Sequence, residues 1–115
     1  MRLRWIPVSL LFAVTAVAEM DSPTANFMQM MEASMRQMDR GMAAAPMNDD
    51  VDHDFATMMI PHHQGAIDMA KAELTYGKDP VMRRLAEEII VDQQSEITAM
   101  QLRINKNATF TAKEK

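Results

Sequence analysis

Cysteine is absent from all 115 positions of the chain. No disulfide can brace so small a domain, and its core must come from packing or self-association. No thiolate is available either, so a soft metal ion would have to be held by thioethers and imidazoles. Aromatic residues make up 5% and runs of β-branched residues are nearly missing, a composition that points to helices. Positive charge is in short supply: 12 Lys and Arg stand against 16 Asp and Glu, for a net charge of −4. An acidic surface argues against nucleic acid and anionic lipid as partners, since both select basic patches. Catalytic signatures are missing too: there is no H-E-x-x-H, no G-x-S-x-G and no phosphate-binding loop. A di-iron bundle needs inward glutamates and two Glu-x-x-His motifs. The nearest match, Asp50-Val51-Asp52-His53, occurs once, with aspartate in place of glutamate. A non-enzymatic protein is the expectation.

Long apolar runs are also missing, with one exception. Arg2 and Arg4 precede a mostly apolar stretch, Ile6 to Ala18, which ends in Ala16-Val17-Ala18. This is the pattern of a secretory signal peptide cleaved after Ala18. At about 13 residues the stretch falls short of the roughly 20 that a membrane span needs; an uncleaved anchor is the alternative. The mature chain would begin at Glu19 in the periplasm or another exported compartment. Ten basic residues would then face sixteen acidic ones, a net charge of −6.

What the chain has in abundance is methionine: fourteen residues, thirteen of them beyond Ala18. The patterning predicts an all-α fold, a short antiparallel bundle of three main helices connected up-down-up and possible to complete by dimerisation. The first helix runs from about Pro23 to Ala44, capped by Ser22, with Pro23 at its first position. At 100° per residue, Phe27, Met28, Met31, Met35, Met38 and Met42 share an arc of about 100°, a heptad-like seam. The second helix runs from about Asp52 to Tyr76 and stops at Gly77. Its Met58, Met69, His62, Phe55, Glu73, Ala66, Met59, Ala70 and His63 share an arc of about 140°, read as inward-facing. The third opens at Asp79-Pro80 and runs to about Ile104. Its apolar arc holds Met82, Leu85, Ala86, Ile89, Ile90, Ile97, Met100 and Ile104, with Gln93 and Glu96 embedded. Residues 1–18 are thus leader, 19–49 a methionine-rich helix and linker, 50–104 a candidate metal-binding helical hairpin, and 105–115 a disordered tail.

Met58-Met59-Ile60-Pro61-His62-His63 concentrates soft and borderline donors in one helical stretch, and two of the chain's three histidines are adjacent in it. Thioethers select Cu(I) over harder ions; Ag(I) shares that softness. Residues three and four apart are helix neighbours, so Met58 and Met59 both reach His62, and Met59 reaches His63. Met69 is better placed for a second ion, while Met100 and the first-helix Met28, Met31, Met35 and Met38 are candidates from neighbouring helices. Pro61 should clash with the Thr57 carbonyl and kink the helix. Gln93 and Glu96 would orient His62 or His63 from behind, or simply bond between helices. His53, amid Asp49, Asp50, Asp52 and Asp54, could hold Cu(II), although acids at a helix start need no metal. The methionine seam reads equally as ordinary core.

The string Asp54-Phe55 followed by Met58-Met59-Ile60-Pro61-His62-His63-Gln64-Gly65-Ala66-Ile67-Asp68-Met69-Ala70 resembles the hallmark of the domain-of-unknown-function 305 (DUF305) family. Leu85-Ala86-Glu87-Glu88-Ile89-Ile90, Gln93, Glu96-Ile97 and Met100 extend the likeness, which covers about Asp52 to Leu102. The resemblance implies a ferritin-like helical bundle, exported, akin to periplasmic copper-binding and copper-resistance proteins of the CopM type. By position it implicates His62, His63, Met59, Met69 and Met100. Many members are longer, and the tryptophan-containing helix end looked for after Met100 is replaced here by Gln101-Leu102-Arg103. The expectation is a periplasmic protein that chelates copper, Cu(I) foremost with Cu(II) or Ag(I) as options, for buffering, resistance or transfer to an efflux or acceptor protein. The rival expectation is a methionine-rich interaction module without metal; copper-assisted oxidation is more distant.

Overall fold

The computed structural model describes residues 22–113, so the expected leader and its expected cleavage point lie outside the described residues. Three helices follow one another: α1 (Pro23–Ala43), α2 (Val51–Tyr76) and α3 (Pro80–Lys113). They form an all-α helical bundle, with no strand among the described residues. None of the described helices is long and apolar enough to cross a membrane.

Each helix begins where a short polar side chain can accept from free N–H groups. Ser22 Oγ accepts from Ala25 N–H at 3.0 Å, with proline following at the first position. Asp50 Oδ1 accepts from Asp52 and His53 N–H at 3.0 and 3.1 Å. Asp79 Oδ1 accepts from Val81 and Met82 N–H, both at 2.9 Å. Between α1 and α2 the chain turns at Asp49, whose φ of 66° is one that aspartate tolerates better than most residues.

Helix ends follow the sequence less closely. Gly77 does end α2, but in extended backbone (φ −70°, ψ 149°), not the left-handed form usual for a terminal glycine. The end is closed from the next helix instead: Arg83 Nη1 donates to the Leu74 carbonyl at 2.7 Å and the Gly77 carbonyl at 3.0 Å. A side chain at Gly77 would collide with Glu73. α3 passes the expected end at Ile104 and stays helical to Lys113, because no proline or glycine interrupts it after Pro80.

α2 also runs unbroken through Pro61. The proline is matched by a glycine on α1: a Cβ on Gly41 would stand 2.6 Å from Pro61 Cβ. One turn on, a Cβ at Gly65 would meet Met38 Cβ at 2.9 Å and Sδ at 3.0 Å. α1 therefore lies against α2 with almost no room between them, antiparallel. α3 lies antiparallel on another side of α2, with Glu96 opposite His63 and Arg83 beside the α2 C-terminus.

α2 packs on both neighbours, while α1 and α3 meet each other only marginally. This arrangement decides the core. The buried apolar residues are Ala56, Ile67, Ala70, Ala72, Ala86 and Ile97, joined by Ser34, Thr57 and His63; no large side chain is fully buried. Small residues let a central helix take a close neighbour on either side. The three arcs read from the sequence are accordingly covered only in part. Met28 and Met35 of the α1 seam are 49% and 40% exposed, and Ser34 is that helix's buried residue, its hydroxyl donating to the Met30 carbonyl at 2.8 Å. On α3, Met82 and Leu85 are 47% and 45% exposed. On α2, Pro61 and Gly65 face α1 whereas His63 faces α3, nearly opposite sides at 100° per residue. The arc from Met58 to Met69 falls between these contact faces. It floors an open trough, which is why Phe55 and His62 within it are exposed.

Candidate metal centre

His63 is the one titratable side chain in the buried set, 9% exposed on the α3 side of α2. Its Nε2 stands 2.5 Å from Glu96 Oε2. A carboxylate can only accept, so Nε2 carries the proton and donates, which leaves Nδ1 of the neutral ring as a bare lone pair. That Nδ1 is buried without any hydrogen-bond partner. An imidazole fixed by a carboxylate through one nitrogen and free at the other is held in one orientation for a ligand, the arrangement typical of metal-binding histidine.

The soft donors near it follow from register. With His63 opposite Glu96, one turn back along α2 reaches Met59 and one turn forward along α3 reaches Met100, at the same level and both half-buried. Gln93, one turn the other way on α3, is half-buried too. His62 points away from this level: it is exposed, its ring 5.9 Å from that of His63 in an edge-on arrangement. Met58, one turn before His62, lies along the same trough-facing strip.

Further along the trough, Met69 lines a groove of about 340 Å³ with residues of all three helices. Phe27 and Met31 come from α1, Ala66, Ala70 and Glu73 from α2, and Met82, Leu85, Ala86 and Ile89 from α3. Met31, Met69 and Met82 are thus brought to one groove, one from each helix. Met38 is committed elsewhere, seated on Gly65 in the α1–α2 contact, and Met28 and Met35 project outward. Met82 is not among the ligand candidates read from the sequence; the pairing of α3 with α2 brings it to the same groove as Met69.

The acid-rich start of α2 is used for helix capping and turn geometry. Asp50 caps the helix, and Asp54 Oδ1 accepts from Asn48 N–H at 2.8 Å and from His53 Nδ1 at 3.1 Å. The His53 hydrogen bond, then the Asn48 N–H, hold the Asp54 carboxyl below the ordinary aspartate value. Among the described residues no three His, Asp or Glu side chains gather as they would to hold a metal ion.

The chain belongs to the DUF305 family (domain of unknown function), whose model matches residues 11–103. The match takes in α1 as well as the α2–α3 hairpin. The chain is also similar to uncharacterized protein L153 of Acanthamoeba polyphaga mimivirus, 45% identical over 49 residues. That stretch is 43% of this chain and 32% of the viral protein, so the likeness spans about a third of that relative's length.

Proposed function

We propose that this protein is an exported, non-enzymatic carrier or buffer of soft monovalent cations, Cu(I) in the first place and Ag(I) by the same chemistry. The observation that carries this reading is the buried His63 ring, tied to Glu96 at Nε2 and bare at Nδ1. A buried acceptor without a partner costs about 1–3 kcal/mol, and a ligand at Nδ1 relieves that cost. Met59 and Met100 at the same level supply thioethers, which favour Cu(I) over harder ions. His62, Met58 and Met69 along the open trough offer a path by which the ion enters or is handed to an acceptor protein. Coordination needs Nδ1 unprotonated, so affinity falls in acid.

Competition with a Cu(I) chelator tests the reading. His63→Ala should weaken binding at least about tenfold, a change of ~1.4 kcal/mol, with His62→Ala costing less. Unchanged affinity and stoichiometry in the double variant His62→Ala, His63→Ala would overturn it. The rival, a methionine-rich interaction module, is favoured by exposed Met28, Met35, Met82 and Leu85. It predicts concentration-dependent association and no thermal stabilisation by Cu(I), whereas a ligand of the folded state raises the melting temperature.

A further inference from the structure

α2 lies between two helices that hardly meet, so no described helix covers the strip between its two contact faces. Ala66 and Ala70 form part of that floor, with Phe27 and Met31 of α1 and Leu85 and Ile89 of α3 on either side. Exposed Met28, Met35 and Met82 carry the apolar surface out to the rims. We infer that this trough is a docking groove for one amphipathic helix of a partner protein, apolar on one face and flanked there by Lys or Arg. Docking needs neither Nδ1 of His63 nor a metal ion, so the inference goes beyond the reading above and stands or falls apart from it.

Two features commit the trough to that occupant. The first is its lining. A contiguous apolar surface with polar rims marks an interaction site, and a helix laid in a groove engages it through anchors three, four and seven residues apart. Small residues on the floor leave room for such anchors, and flexible methionines on the walls repack around them. The second feature is charge. At 100° per residue, Asp39 falls within about 20° of Met28 and Asp92 within about 20° of Leu85, so both stand on the trough-side strips. Both are exposed. Glu73 lines the groove, and Glu96 reaches across from α3 to His63. Cations are turned elsewhere: Arg36 and Arg40 lie about 140° and 180° round α1 from Met31, and Arg84 about 100° round α3 from Leu85. Arg83 is spent on the α2 carbonyls. An apolar trough edged by carboxylates selects a cationic helix. A second copy would bring the same carboxylates, setting like charge against like.

The test is a fluorescence-anisotropy titration of the purified protein into labelled synthetic peptides of about four helical turns. The probe is an amphipathic Leu/Lys peptide. Its controls are a Leu/Glu peptide of the same pattern and a Leu/Lys peptide with the order scrambled. The amphipathic Leu/Lys helix should bind at least about tenfold more tightly than either control, and more weakly as salt rises. Leu85→Gln and Met82→Gln alter exposed positions; with helicity unchanged by circular dichroism, each should weaken binding about fivefold or more. Asp39→Asn combined with Asp92→Asn should weaken it about threefold or more and flatten the salt dependence. Val91→Gln, exposed and about 120° round α3 from Leu85, should change nothing. Equal binding of either control peptide, or indifference to the two apolar variants and the double aspartate variant, would overturn the inference. So would a dimer in sedimentation that Leu85→Gln dissociates, because the trough would then belong to a second copy. Peptide binding by a protein that takes no Cu(I) defeats the earlier reading alone; Cu(I) binding without peptide binding defeats this one alone.

Discussion

The two faces of α2 are joined to their neighbours by opposite means. Toward α1 the contact is steric: Gly41 admits Pro61, Gly65 admits Met38, and the buried polar group there, Ser34, is satisfied within its own helix. Toward α3 the contact is polar at its two ends, with His63 on Glu96 at one level and Arg83 on the α2 carbonyls at the other, and alanine and isoleucine between them. On the face closed by glycine the Met38 thioether is packed against Gly65. On the face joined by a carboxylate–imidazole pair, satisfying Nε2 leaves the Nδ1 lone pair over. The proposed chemistry therefore belongs to the α3 side and the trough, with the α1 contact as the wall.

The largest effect should come from the steric face. Gly41→Leu drives a side chain into Pro61, and overpacking of this kind should lower the unfolding free energy by about 3 kcal/mol in a urea titration. A loss below ~1 kcal/mol would mean that α1 can stand off from α2, and the contrast between the faces would collapse. Next comes the polar pair: Glu96→Gln removes the carboxylate that fixes the ring, and should weaken Cu(I) affinity by about tenfold or more while changing the melting temperature little. An equal loss in both quantities would make the pair structural. Third, Arg83→Ala strips two carbonyls of a charged donor and should cost about 1–2 kcal/mol, seen first as faster amide exchange around residues 74–77.

The smallest effect concerns acid. The folded-state value of Asp54 is lowered, so its contribution is present above the unfolded aspartate value and fades as pH falls through the folded one. Asp54→Asn should flatten that acid limb of a stability-versus-pH curve and leave the neutral region nearly unchanged. If the limb persists, another carboxylate sets it.

Much of the frame was legible residue by residue. Ser22-Pro23 and Asp79-Pro80 announce helix starts because the proline suits the first position and the side chain before it meets free N–H groups. Met58 to Ala70 carries the family signature by itself. For the methionine seam, heptad spacing states that side chains share an arc without stating what covers it. Met28 and Met35 keep the spacing and face outward. Likewise, the α2 arc, read as inward-facing, is buried at Ala70 and His63 and exposed at Phe55 and His62, because α2 has two partners and part of the stripe lies between them. Glu96 was a candidate beside either histidine; only the antiparallel pairing of α3 chooses His63.

Local chemistry in the chain determined the three helices, their caps, the lack of cysteine and the concentration of thioethers and imidazoles in one stretch. Tertiary structure decided which histidine is buried, which nitrogen stays bare, and which methionines from distant positions share a groove. The division has a simple cause. Capping and periodicity act over three or four residues, within reach of the sequence, whereas burial depends on how two outer helices settle on a third. That settling turns on where glycine lets a backbone come close.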